Sequence, residues 1–391
     1  MAEREYDVVV FGATGFTGRL TAEYLARRAG PETRGALAGR NLTKLEEVRR
    51  RLGEINVACA KLPLLQADVN DPESLRAVAE STKVVITTVG PYIHYGEPLV
   101  KACAEAGTDY VDLTGEPEFV DLMWLRYHSV AQASGARLVH SCGFDSIPYD
   151  LGTLFTVVHL PEGVPLDVNC YVRVGAKFSG GTYHSAINAM ARLRHAARNA
   201  SQRKQQEPRP DGRVVKGVAE RPHRSSEAGG WIVPFPSIDP QTVLRSARAL
   251  DRYGPKFTYG HYLVFKRALT VAALAGGAGA GIALAQLPPA RQLMLKLKDP
   301  GHGPSVQERE RAWFNVKLVG EGGGRRVVTE VSGGDPGYTE TSKMLAESAL
   351  CLAHDELPST AGQVTPAVAM GQPLIDRLVA AGISFRVLEE S

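Results

Sequence analysis

The run Val8-Val9-Val10-Phe11-Gly12-Ala13-Thr14-Gly15-Phe16-Thr17-Gly18 constrains this chain more than any other stretch. Four consecutive apolar residues read as a parallel strand buried on both faces. Three glycines follow at three-residue spacing, and Leu20, Ala22, Tyr24 and Leu25 then open a helical pattern. Strand, glycine turn and helix in that order predict the first unit of a dinucleotide-binding fold. Gly12 lets the chain turn tightly off the strand. Gly15 removes a Cβ where a pyrophosphate approaches the backbone. Gly18 lets the helix pack close to the strand. The anion then sits at the positive end of the helix dipole. The spacing is G-x-x-G-x-x-G rather than G-x-G-x-x-G, so the position behind the first strand carries the assignment. Gly12, Thr14, Gly15, Phe16, Thr17 and Gly18 are accordingly assigned to cofactor binding.

With 391 residues the chain can bury a large core and form two or three domains. Residues 6–150 alternate strand and helix. Further strands are expected at Ala36–Arg40, Leu62–Ala67, Val84–Val89, Tyr110–Leu113 and Arg137–His140. Helices are expected after Asn41, over Glu97–Ala106 and near 117–134, with Asn41 as a cap. The fold class is α/β: an N-terminal Rossmann-type, doubly wound parallel sheet with a second α+β domain. The domains are read as 1–150 (cofactor), 151–355 (substrate and dimerisation) and 356–391, a segment returning to the first domain.

Strand ends place the remaining cofactor candidates. The residue ending the second strand faces the adenosine ribose. An acid there suits a free 2′-hydroxyl, whereas an arginine suits a 2′-phosphate. Arg40 holds that position, and its guanidinium keeps its charge and bonds phosphate through two parallel hydrogen bonds. Lys44, one turn on, adds charge. The expected cofactor is therefore NADP(H). Asp68 is expected near the adenine, and Val89, Gly90 and Pro91 beneath the cofactor's middle. Tyr92, His94 and Tyr95 follow on a loop. Asp112 reads as a cap of the next helix or as a cleft residue. Asp145 and Ser146 read either as caps of the helix that Pro148 helps start or as functional groups.

Composition narrows the partners. A net charge of +3 is too small to argue for nucleic acid. The five cysteines are scattered without a C-x-x-C pair, so neither a structural metal nor a disulfide framework is expected. Together with an N-terminus lacking a signal-peptide pattern, this predicts a reducing, cytoplasmic setting.

After about Leu154 the alternation ends. Asp167–Val174 has the period of a half-exposed strand, and Ser179–Tyr183 opens a helix. Residues 198–230 are polar and basic and read as an exposed loop. The alternative is a surface for an acidic carrier protein or anionic headgroups. Residues 257–266 read as a strand. Residues 268–287 are uncharged and nearly long enough to span a bilayer. Their six strongly apolar side chains favour insertion by only about 2–4 kcal/mol, so peripheral contact with lipid or acyl chain is expected rather than a span. Trp313–Val319 and Arg326–Val331 form a hairpin about Gly320–Gly324. A sheet of this kind beside a dinucleotide domain serves as substrate floor and homodimer surface. Helices are expected at Thr339–His354 and near 371–381.

Taken together, Phe11–Gly18, Leu37–Arg40, Thr88–Tyr92, Tyr110–Glu116, Cys142–Pro148 and Ser332–Thr341 resemble the saccharopine dehydrogenase-like oxidoreductases over nearly the whole chain. Within them the chain is most similar to the trans-acting enoyl reductases that serve polyketide synthases. The resemblance implies NADPH-dependent reduction of a lipid or polyketide-type enoyl thioester, carrier-bound, at the inner face of a membrane. Hydride to the β-carbon leaves an enolate that needs hydrogen-bond donors and a proton. Tyr92, Ser146, Tyr183 and His184 are the candidate catalytic donors. Two other readings are a saccharopine-type amino-acid dehydrogenase, which the arginine-poor cleft motifs disfavour, and a nonenzymatic NADP-binding, lipid-associated protein.

Overall fold

The computed structural model describes residues 4–176, 187, 190–296 and 303–391. They fall into two compact units. The first comprises Met1–Phe144, Gly301–Gly303 and Tyr338–Arg377, and the second Asp145–Pro300, Pro304–Gly337 and Leu378–Ser391.

In the first unit, strands β1 (Tyr6–Phe11), β2 (Gly35–Gly39), β3 (Leu64–Gln66), β4 (Thr82–Thr87), β5 (Asp109–Val111) and β6 (Arg137–Val139) form a parallel sheet. A seventh strand, Gly362–Val364, adds beside β6. From that edge the order continues β6-β5-β4-β1-β2-β3. Chain direction across the sheet reverses between β1 and β4, which sets the ligand crevice at the carboxyl ends of those strands. All six side chains of β1 are buried. Val9 and Phe11 join one apolar cluster with Leu75, Leu99, Phe119 and Met123 from the helices Pro72–Ser81, Glu97–Ala106 and Pro117–Ser134. Val8 and Val10 alternate to the other face, because successive strand side chains point oppositely. Asn41 caps the helix Leu42–Ile55, its Oδ1 accepting from the Lys44 N–H at 3.0 Å.

Helix Thr339–His354 packs on helix Phe16–Arg28 and against β1, β4 and β5, so it belongs to the first unit. The chain after Leu378 belongs to the second unit, where a strand unexpected from the sequence, Ser384–Glu390, completes the sheet. Tyr92–Tyr95 form a short helix rather than a loop.

The second unit is built on a mixed sheet of eight strands. These are β7 (Leu166–Gly175), β8 (Val214–Val218), β9 (His223–Ser225), β10 (Gly230–Pro234), β11 (Lys256–Phe265), β12 (Trp313–Gly322), β13 (Arg325–Gly333) and Ser384–Glu390. Helix Ile147–Val157 lies on one face. It approaches closely because a Cβ on Gly320 would meet Thr156 Cγ2 at 2.7 Å, and one on Gly152 would meet Val331 Cγ2 at 3.0 Å. Gly320 therefore sits inside β12, and the hairpin turns at Gly323 and Gly324, both at positive φ.

The expected basic loop over 198–230 is instead a helix, Leu193–Gln206, followed by β8 and β9. Several of its cations are tied into the unit rather than offered to a partner. Arg203 is 2% exposed and pairs with Glu207. Arg213 donates to the carbonyls of Ala247 and Leu250, each at 2.8 Å, closing the end of helix Asp239–Ala249. The apolar stretch forms a helix, Ala268–Ala285. Among the described residues, no helix is long and apolar enough to cross a membrane.

Candidate functional site

The glycine turn forms a cradle. Gly12 has φ +89, and a Cβ there would lie 2.6 Å from Val89 Cγ2. Gly18 permits contact between helix and turn, since its Cβ would fall 2.2 Å from the Gly12 carbonyl oxygen. At Gly15 a Cβ would meet only that oxygen, at 3.5 Å, so it would project into open space. A side chain there fills the volume that an incoming phosphate needs. Helix Phe16–Arg28 starts behind Gly15 with no side-chain cap and no acid in its first turn. Its positive end thus faces no protein carboxylate of its own. Thr14 is exposed and Thr17 half-buried. Phe16 packs edge-on to Tyr338, with ring centroids 4.8 Å apart.

Arg40 follows β2 directly and is exposed, with no hydrogen-bond or ion-pair partner among the described residues. Lys44 is exposed one turn further on. Asp68 has one oxygen engaged locally, with Oδ1 accepting from the Asn70 N–H at 2.9 Å and its Nδ2 at 3.0 Å. Val89, Gly90 and Pro91 follow β4 beside the glycine turn, with Gly90–Pro91 cis. An open phosphate cradle and an unpaired arginine at the ribose position fit a 2′-phosphorylated dinucleotide.

Tyr92, one of the candidate donors, is turned into the protein. It is 6% exposed, and its hydroxyl donates to the Thr87 carbonyl at 3.1 Å and accepts from the Leu113 N–H at 3.2 Å. Burial, then the nearby Asp112 charge, pushes this phenol well above its ordinary range. It clasps two strand ends. Glu116 accepts from the N–H groups of Tyr92 and Ile93 at 3.1 and 2.9 Å, capping that short helix. Asp112 is not a helix cap but a fully buried hub. It accepts from Tyr110 Oη at 2.9 Å, Thr114 N at 3.0 Å and Ser141 N at 2.9 Å, with His140 Nδ1 2.6 Å away.

In the second unit, Ser146 is fully buried at φ 110, and its hydroxyl donates toward Asp239 Oδ1 at 3.4 Å and Thr242 Oγ1 at 3.1 Å. It precedes helix Ile147–Val157, yet its side chain does not cap it. Its hydroxyl is engaged within this cluster. Two residues not singled out by the sequence complete this cluster, Asp239 and His261, both buried. Asp239 Oδ2 accepts from Ser237 Oγ at 2.5 Å and lies 3.7 Å from His261 Nε2. His261 Nδ1 is 3.0 Å from the Tyr259 hydroxyl, and Tyr149 packs edge-on to its ring at 4.9 Å. Burial pushes Asp145 up to about 6. Burial and the Asp145 charge push Asp239 well above the usual carboxylate range, while burial lowers His261 to about 3. Asp145 is half-buried, with no hydrogen-bond partner among the described residues. Local pattern offered no signal for this pairing, because Asp239 reads as a helix-starting acid before Pro240 and His261 sits mid-strand. Tyr183 and His184 lie outside the described residues.

Comparison with known proteins gives the same frame. A family model of the saccharopine dehydrogenase NADP binding domain matches residues 8–139, so the first unit carries an NADP-binding domain. A Mycobacterium tuberculosis protein, provisionally named a trans-acting enoyl reductase, is 40% identical across 98% of this chain and 97% of its own. The trans-acting enoyl reductase of Mycobacterium ulcerans is 36% identical over the same shares. The structure of saccharopine dehydrogenase (L-Glu forming) from Saccharomyces cerevisiae matches the fold with a TM-score of 0.56 at 13% identity, covering 98% of this chain and all of that one. Glycine cradle, unpaired Arg40 and near-full-length likeness agree: the chain belongs to the saccharopine dehydrogenase-like oxidoreductases, in the group whose members are named trans-acting enoyl reductases.

Proposed function

We propose that this chain reduces the carbon–carbon double bond of an enoyl thioester with NADPH, the acyl group being lipid-like and carried on an acyl carrier. The observation that carries the reading is the open cradle at Gly15 with unpaired Arg40, in a chain similar over nearly its whole length to enoyl reductases. When bound, NADPH supplies the hydride that goes to the β-carbon. The chain's own residues hold the phosphates and select the 2′-phosphate. The α-carbon then needs a proton. With Tyr92 and Ser146 engaged in the protein's own hydrogen bonds, Tyr183 and His184 are the proposed donors. Steady-state kinetics test the reading: NADPH oxidation is expected with a long-chain enoyl thioester, and no NADP+ reduction with saccharopine. Turnover of saccharopine alone overturns it.

The helix Ala268–Ala285 is the proposed contact for lipid or a long acyl chain. Supporting this, Leu269 and Leu287 are 82% and 57% exposed on an uncharged segment flanked by Lys266 and Arg267. Leu269→Asp with Leu287→Asp is expected to abolish flotation with anionic vesicles while NADPH binding persists. Wild-type protein that never floats overturns the contact.

A further inference from the structure

The second unit's sheet has a face that helix Ile147–Val157 does not cover. A Cβ on Gly320 would meet both Thr156 of that helix and Val168 of β7, so Val168 and the helix lie on the same face. Tyr171 and Arg173, odd-numbered on the same strand β7, therefore point to the opposite face. A groove of about 960 Å³ lies there, lined by Tyr171, Arg173, Lys317, Trp313 and Arg386 among others.

Its acids are neutralised and two of its bases are not. Glu227 is bonded by Arg326 Nη2 at 2.5 Å and by the Tyr171 hydroxyl at 3.3 Å. Glu330 is paired with Arg386 and accepts from Asn315 Nδ2 at 2.6 Å. Arg173 and Lys317 form no ion pair among the described residues. Arg173 Nη2 donates only to the carbonyls of Ala228 and Gly229, at 2.5 and 3.1 Å. Lys317 Nζ donates to the carbonyl of Glu227, at 2.9 Å. Guanidinium carries five N–H donors and ammonium three, so both keep donors in hand. In the β7–β12 register Arg173 stands opposite Asn315 and Lys317 opposite Tyr171, which makes the two cations diagonal neighbours. Such pairs lie about 7–8 Å apart, a span that one phosphoryl group between flexible side chains can bridge. Trp313, 47% exposed, lies against the backbone of Gly175, where a Cβ would meet Nε1 at 2.3 Å. It gives the groove a flat apolar wall.

We propose that this groove binds a phosphate ester borne on a flexible thiol-terminated arm, with Arg173 and Lys317 holding the phosphate and Trp313 flanking the arm. The choice of arm rests on the acyl-thioester reading above; the anion site rests on the two unneutralised cations alone. The test uses the full chain with NADPH present and arms without an acyl group, so its result does not depend on reductase activity. Binding of pantetheine 4′-phosphate, pantetheine and inorganic phosphate is measured by titration calorimetry and tryptophan fluorescence. The phosphorylated arm is expected to saturate, with pantetheine at least tenfold weaker. Arg173→Gln with Lys317→Gln is expected to lose at least tenfold, with NADPH affinity and melting temperature unchanged. Equal binding of the two arms, binding of the phosphorylated arm no tighter than inorganic phosphate, no saturation by the phosphorylated arm, or unaltered binding by the double variant each overturns the proposal. If only Trp313→Leu left the phosphorylated arm unaffected, the indole wall would be wrong.

Discussion

Both units bury an aspartate beside a histidine, and the two pairs are wired differently. In the first unit, Asp112 accepts two backbone N–H groups, from Thr114 and Ser141, and a phenol, with His140 at its other side. It ties the end of β5 to the end of β6. In the second unit, no backbone N–H reaches Asp239 among the described residues. It receives two serine hydroxyls and sits near a second carboxyl, Asp145, in low dielectric. Backbone donors fix the chain around Asp112, whereas burial beside another acid raises Asp239 above the usual carboxylate range. The same residue types therefore make a clasp in one place and a perturbed acid in the other.

The largest expected effect breaks the clasp. Asp112→Ala leaves two backbone donors and the phenol facing a void, and should destabilise the protein by about 3–5 kcal/mol in urea unfolding. A loss below about 1 kcal/mol would mean that the two pairs are equivalent. Gly15→Val comes next and should abolish NADPH binding while the protein stays folded, because its side chain fills the phosphate cradle. Retained binding would mean that the phosphate sits elsewhere.

A third change contrasts the buried cluster with a charge held in solvent. Arg40→Asp should weaken NADPH binding by about 1.5–3 kcal/mol and NADH binding far less. Equal affinity of the wild type for both cofactors refutes that role.

The smallest effects concern pH and stability. The folded value of His261 lies near 3, below its unfolded 6.5, so the unfolded chain binds the extra proton between them. Relative to His261→Gln, the wild type should lose stability as pH falls from about 6.5 towards 3. Asp145 is raised from 3.8 to about 6, so its slope is opposite. Relative to Asp145→Asn, the wild type should lose stability as pH rises through that window. Asp239→Asn, which keeps an acceptor for the Ser146 and Ser237 hydroxyls, should change stability by less than about 1 kcal/mol. Parallel slopes for the His261 and Asp145 variants would dissolve the distinction between the pairs.

What could be read from the sequence was local. Three glycines after an apolar run identify the cradle, because a positive φ at Gly12 and a missing Cβ at Gly18 are demands on single residues. The Asn41 cap and the helix Pro117–Ser134 are legible for the same reason, since cap and period lie within one or two turns. The tertiary structure alone decided three things. Tyr92 turned inward because Thr87 and Leu113 offered backbone partners from two strands. The basic stretch became helix and edge strands because Arg203 and Arg213 found a carboxylate and helix-end carbonyls inside the unit. Ser146 met Asp239 across 93 residues of chain. No periodicity or cap encodes such a meeting: it exists only once the sheet and its helices have packed, and packing sets the dielectric and neighbours that decide what a carboxyl does.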